Sequence, residues 1–302
     1  MRRLLNSPPL VDRSWLEISA WTEIDAGSQT DAGSEADAGF KAGARTLVIP
    51  VGATEQHGPH LPLGVDAVVA EFVAQSIVEL AAAHGVPMLL GPTQSYGASG
   101  EHEDFPGTVS IGTAALTTVL IEIGRSAARW ADRILVISGH GGNVDALAAA
   151  SAALRAETPE STFAQEGTAT QEGTATQEDT LGTVGIDFAW APCGDAVEGS
   201  ADATDLHAGR TETSLMLAIR PDSVRPSAAE PGPVEPFASL IGRLRQSGVR
   251  AVSPNGVLGD PTGASAYEGR RHLARICDEV WSRIELWSPD RETGLLALPA
   301  DD

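Results

Sequence analysis

The sequence predicts an α/β protein, a three-layer sandwich around a mainly parallel sheet, and three observations predict it. Short apolar runs of strand length recur at 46–51, 87–90, 133–137 and 184–190. Longer stretches with helical spacing of apolar residues separate them. The polar motifs begin where apolar runs end. Alternating strands and helices fold through right-handed crossovers into a parallel sheet. Ligands of such sheets bind beyond the carboxyl ends of the strands.

Taken in order, TLVIPV at 46–51 is a strand short and apolar enough to be buried on both faces. Residues 66–83 form a helix, with Val69, Phe72, Val73, Ile77 and Leu80 on its apolar face. The strand at 87–90 leads to a helix over 113–131 carrying Leu116, Val119, Leu120, Ile123 and Ala127. RILVI at 133–137 is the third strand, and an alanine-rich helix covers 144–156. The fourth strand, 184–190, precedes a helix from about Glu212 and a last long helix over about 265–287. Two segments stand apart. Residues 25–39 hold three near-copies of Asp-Ala-Gly, and 165–178 repeat Gln-Glu-Gly-Thr-Ala-Thr. Neither buries enough apolar surface to offset its ordering entropy, so both read as flexible. The organisation is therefore an N-terminal segment (1–24), an acidic linker (25–39), one catalytic domain (40–290) with an insert at 165–178, and a tail (291–302).

Of the 302 residues, 42% are hydrophobic, enough for a sizeable core. Asp and Glu number 41 against 20 Lys and Arg, a net charge of −21. Such a surface repels phosphate backbones and anionic lipid, which disfavours nucleic-acid and membrane partners. No run approaches the ~18 apolar residues of a membrane span. The opening Met-Arg-Arg-Leu-Leu is broken by Asn6, Ser7, Pro8 and Pro9 before a signal sequence develops. Cys193 and Cys277 lie far apart and outside any Cys-x-x-Cys pair, so they read as buried free thiols in a reducing cytoplasm.

Three motifs carry chemistry. The first, Glu55-Gln56-His57-Gly58-Pro59-His60-Leu61-Pro62-Leu63-Gly64-Val65-Asp66, follows the first strand. Its carboxylates and imidazoles suit borderline divalent ions such as Zn²⁺, Mn²⁺ or Fe²⁺. Alternation puts Glu55 and His57 on one side of an extended segment. Asp66 reads equally as a helix N-cap or as a carboxylate shared by two ions. The second, Gly139-His140-Gly141-Gly142-Asn143, follows the third strand; a histidine in a glycine loop there points to function. The third, Asp205-Leu206-His207-Ala208-Gly209-Arg210-Thr211-Glu212-Thr213-Ser214, opens a helix. Thr211 there reads as a cap and Glu212 as a first-turn carboxylate, or His207 as an acid–base and Glu212 as a ligand or proton carrier. A further stretch, 96–108, reads as a substrate loop or as a surface turn.

These motifs, with Glu101-His102-x-x-Phe105-Pro106-Gly107-Thr108 and Gly256-Val257-Leu258-Gly259-Asp260-Pro261-Thr262, resemble the creatininase family over about 46–287, the insert at 165–178 excluded. Within it, Tyr96-Gly-Ala-Ser-Gly-Glu-His and His-Ala-Gly-Arg-Thr-Glu-Thr-Ser resemble a branch that trims modified ribosomal precursor peptides. The resemblance implies a homo-oligomeric, often hexameric, metal-dependent hydrolase of C–N bonds with one or two divalent ions per subunit. It implies release of a C-terminal Val-Tyr-derived unit, or hydrolysis of a small cyclic amide or formamide. Glu55, Asp66 and His140 would hold one ion and His57 and Asp66 the other, with Asp66 bridging. Tyr96, Glu101, His102, Gly141 and Gly142 would meet substrate. Creatinine-hydrolysing members carry a glutamate two residues after the loop histidine, where this chain has Gly142. Glu212 is the residue expected to fill that gap, and of the tryptophans that flank creatinine only Trp190 lies nearby. His207 or Glu212 would pass a proton to the leaving nitrogen, and amides of Gly141 and Gly142 would hold the oxyanion.

Overall fold

A computed structural model of the chain describes residues 9–22, 43–157, 187–193 and 204–300. The acidic linker, the insert and residues 184–186 of the expected fourth strand lie outside them. Four parallel strands form one sheet in the order β2-β1-β3-β4, with β1 at Thr46–Val51, β2 at Met88–Leu90, β3 at Arg133–Ser138 and β4 at Asp187–Pro192. Val51, Ser138 and Pro192 stand in register, so three strands end at one level. Proline disrupts a central strand because it cannot donate a ladder hydrogen bond. Pro50 escapes the penalty: its carbonyl faces Gln94, on the side where β2 has already ended at Leu90.

The strands alternate faces as a pleat requires. Val48, Leu135, Ile137, Ala189 and Ala191 pack under helices α2 (Val65–Ala83), α5 (Arg210–Ile219) and α7 (Ala266–Leu286). Leu47, Ile49, Val51, Ile134, Val136, Phe188 and Trp190 pack under α3 (Gly112–Ala127) and α4 (Val144–Ala156). The three layers are those expected. The connection from β1 runs through α2 on one face and that from β3 through α4 on the other. Strand order therefore reverses between β1 and β3, which opens a crevice at their carboxyl ends.

Several details differ from the sequence expectation. On α2, Phe72 is exposed and Leu80 half-buried, while Val65, Ala70, Ala74 and Ala81 join Val69, Val73 and Ile77 in the core. Covering by α5 and α7 beside the sheet widens the buried stripe beyond a single apolar row. Helix α3 stops at Ala127, and residues 128–131 turn into β3. Two helices were not expected: α1 (Trp15–Thr22), and α6 (Phe237–Val252), interrupted by Gly248 at φ 71°. Helix α6 packs by Leu240, Val249 and Val252 over Phe105 and Leu258, roofing the substrate-loop stretch. Residues 291–300, expected as a tail, run beside β4: Leu296 is buried and its N–H donates to the Trp190 carbonyl. Cys193 is buried and Cys277 half-buried, and both are free. Among the described residues no helix is long and apolar enough to cross a membrane.

Candidate metal centre

Glu55 and His57 leave the end of β1, and His140 leaves the end of β3. Asp66 sits in the first turn of α2, which Gly64 caps without a side-chain bond. Asp66 is therefore not the N-cap. Its Oδ1 lies 3.0 Å from His57 Nε2 and its Oδ2 3.4 Å from His140 Nδ1, so it spans both imidazoles. Glu55 Oε2 lies 3.2 Å from His140 Nε2. Glu212, in the first turn of α5, brings Oε2 to 3.8 Å from His57 Nε2. Thr211 is not the cap of α5: Gly209 holds that position, and Asp205 accepts from the N–H groups of Arg210 and Thr211 at 3.0 and 2.8 Å. Ala208 N–H donates to Glu212 Oε2 at 2.5 Å, tying that carboxylate to the turn carrying His207. Asn143 fastens the loops together, donating to Gly52 O at 3.0 Å and accepting from Ala98 N–H at 2.9 Å.

The result is a buried cluster in which three groups of side chains bring donor atoms within 4.8 Å of one another: Glu55, Asp66 and His140; His57, Asp66 and Glu212; Glu55, His57 and His207. Both Glu55 oxygens and Asp66 Oδ2 are buried and make no well-formed hydrogen bond, facing only imidazole nitrogens at 3.2–3.4 Å. A buried anionic oxygen without a donor is costly, and a cation is the partner such a set fits. His57 donates from Nδ1 to the Glu55 carbonyl at 3.1 Å, leaving Nε2 for Asp66 or an ion. Histidine ligands commonly show this arrangement.

Burial raises the pKa of Glu55, with His140 and His57 pulling the other way and Asp66 adding to the rise. Glu212 is raised by the same cause, although 22% of its side chain stays open. Burial opposes a charge on His57, but Asp66, Glu212 and Glu55 outweigh it and hold the ring at about 10. His140 is also raised, by Glu55 and Asp66 against its burial. Burial and neighbouring histidines hold His102 and His207 low, so both rings stay neutral. A cavity lined by Asp66, His207 and Glu212 continues between Val65, Val69 and Leu215.

The residues expected to meet substrate separate in space. Tyr96 is exposed. Glu101, half-buried, brings Oε1 to 3.7 Å from His140 Nε2. His102 is buried behind Glu55, its Nε2 3.4 Å from Glu55 Oε1. Gly141 and Gly142 form a 3₁₀ turn ahead of α4. A Cβ at Gly142 would stand 2.4 Å from both Ala98 O and His140 Nε2, so no side chain fits there without rearrangement. Trp190 is a core residue whose Nε1 donates to Thr293 O. Sequence reasoning singled out neither Gln56 nor Asn143 nor Asp205, although each lies inside a quoted motif.

The model of a family described as creatinine amidohydrolase matches residues 33–284. The chain belongs to the creatininase family. Among curated proteins it is 46% identical to the mycofactocin precursor peptide peptidase of Mycolicibacterium smegmatis, over 83% of this chain and 88% of that one. It is 44% identical to the protein of the same name from Mycobacterium ulcerans, over 81% and 86%. A crystal structure of creatinine amidohydrolase superposes with a TM-score of 0.61 at 25% identity, covering 89% of this creatininase-family chain and 92% of the other.

Proposed function

We propose that this protein is a metal-dependent peptidase that cleaves the modified mycofactocin precursor peptide and releases its C-terminal Val-Tyr-derived unit. The 46% identity to a peptidase of that name, over most of both chains, carries the reading. The buried carboxylate oxygens of Glu55 and Asp66 that make no well-formed hydrogen bond support its metal dependence. Glu55, Asp66 and His140 would hold one divalent ion, and His57, Asp66 and Glu212 a second, with Asp66 shared. Glu212 then takes over from the position that Gly142 leaves empty. When bound, such ions make a water nucleophilic near neutral pH and polarise a carbonyl.

The chain's own residues supply the rest. Asp66 and His57 fix the geometry of the two halves. The N–H groups of Gly141 and Gly142, ahead of α4, are the candidates to steady the developing oxyanion. His207 is neutral and lines the cavity, placed to take up a proton and pass it on towards the leaving nitrogen. Val65, Val69 and Leu215 give the apolar part of a peptide a wall. Glu101 and Tyr96 stand on the segment that would meet the rest of the substrate.

The test is to incubate zinc- or iron-loaded protein with the modified precursor and, separately, with creatinine, other cyclic amides and formamides. Mass spectrometry should find the C-terminal unit released and the small amides untouched. Turnover of a cyclic amide with an intact peptide would replace this reading by a small-molecule amidohydrolase.

A further inference from the structure

Gln56 lies between Glu55 and His57 in sequence, yet its side chain joins three distant segments behind the cluster. Its amide offers two N–H donors and one accepting oxygen. Oε1 accepts from Gly58 N–H at 2.9 Å. Nε2 lies 2.8 Å from His102 Nδ1 and 3.1 Å from the Gly256 carbonyl. Those two contacts use both amide protons. Exchanging the amide's nitrogen and oxygen would set two carbonyl oxygens against each other at Gly256. A Cβ at Gly256 would stand 1.9 Å from Gln56 Oε1, and its φ is +82°, so glycine is the residue this approach admits.

The protons of two histidines follow. His207 Nε2 lies 2.7 Å from the backbone carbonyl of Gln56, which can only accept, so His207 carries its proton there. The 3.1 Å separation of His207 Nε2 from Gln56 Nε2 is then a contact between two donors. This leaves His207 Nδ1 as a lone pair, 3.8 Å from Glu55 Oε1. His102 is the mirror case: Nδ1 accepts from Gln56, so the neutral ring carries its proton on Nε2, which faces Glu55 Oε1 at 3.4 Å.

We propose that Gln56 is a positioning residue that sets the tautomer of His102, holding it as an Nε2–H donor behind Glu55 and keeping it from ligating an ion itself. The two neighbouring histidines thereby take opposite tasks: His102 offers Glu55 a proton, and His207 offers the site a lone pair. The inference deepens the metal-centre reading and rests on it. Outer partners that orient a ligand in this way typically contribute 10–100-fold to metal affinity, on the order of the change expected here.

The test uses zinc-loaded protein labelled with ¹⁵N in histidine and long-range ¹H–¹⁵N correlation of the imidazoles, with signals assigned by single substitution. His102 and His207 should both show a bare Nδ1 and a protonated Nε2. Gln56→Glu, a carboxylate of the same shape that can only accept, should move the His102 proton to Nδ1. It should also weaken zinc binding by about 10–100-fold. His102→Leu should weaken zinc binding as much, whereas His102→Gln, whose amide N–H reaches towards the same oxygen, should recover most of it. A protonated Nδ1 on His102 in the wild type would overturn the proposal. So would equal damage from His102→Gln and His102→Leu. The tautomer is readable without zinc, so a protein that bound no ion would sink the metal-centre reading while the imidazole signals still decided the role of Gln56.

Discussion

The two halves of the cluster share Asp66 and differ in almost everything else. The half at Glu55 and His140 rises from the ends of two central strands, and its glutamate is fully buried, faced by imidazole nitrogens of His102 and His140 at 3.4 and 3.2 Å. The half at His57 and Glu212 borrows its glutamate from α5, where Ala208 N–H already holds one oxygen and the side chain is 22% open. A fully buried carboxylate met only at long range by imidazoles depends on its cation most, and one anchored by an amide and reached by water depends on it least. The account therefore predicts a tight ion at Glu55 and His140 and a more exchangeable ion at His57 and Glu212.

Asp66→Ala removes the ligand common to both halves. It should abolish ion uptake and peptide cleavage, a loss beyond the ~100-fold that outer-shell changes cost. Wild-type cleavage by this variant would break the comparison at its root. Glu55→Gln should come next, losing the tight ion in elemental analysis while the exchangeable one can still be added back. Glu212→Gln should do the reverse, keeping one ion per chain after dialysis and weakening the second by roughly 10–100-fold. Equal stoichiometry in the two glutamine variants would show that the halves are not distinct.

The pH dependence follows with a definite sign. Glu55 and Glu212 are raised from 4.5 in the folded protein, and His57 is raised from 6.5 to about 10. These three groups thus bind more protons in the metal-free fold than in the unfolded chain above pH 4.5, while His102 and His207, held low, bind fewer below about 6.5. The stability the three raised groups contribute is full below their unfolded values and is lost as pH rises through the folded ones. An ion displaces the same protons, so its affinity rises with pH, about tenfold per unit for each proton released. The zinc-induced gain in Tm should accordingly be larger at pH 8 than at pH 6. An equal or smaller gain at pH 8 would contradict the assignment. The smallest effect belongs to Asp205→Ala, which uncaps α5 at a cost of ~1 kcal/mol and lowers Tm by about 2 °C.

Legibility in the sequence followed how local each signal was. TLVIPV marked β1 to the residue because a short apolar run between glycines has few other readings. Glu55, His57, Asp66 and His140 were visible because ligand-type residues cluster where apolar runs end. Helix α6 was not visible: its sequence carries Gly242 and Gly248, and only three of its residues are buried. His102 looked like part of a substrate loop because nothing local reveals that the turn folds inward behind Glu55. Gln56 was passed over because its partners lie 46, 151 and 200 residues away. Asp66 and Thr211 both looked like caps, since a polar residue at a helix start has that local use. Gly64 and Asp205 show that tertiary geometry chose otherwise.

The measurement that bears most directly on the central claim is cleavage of the modified precursor peptide before chelation, after chelation, and after zinc or iron is returned. The account predicts that release of the C-terminal unit stops when the ions are stripped and resumes when they are restored, in the wild type but not in Asp66→Ala. Cleavage that persists at full rate in the stripped protein, with elemental analysis confirming that no ion remains, would contradict it.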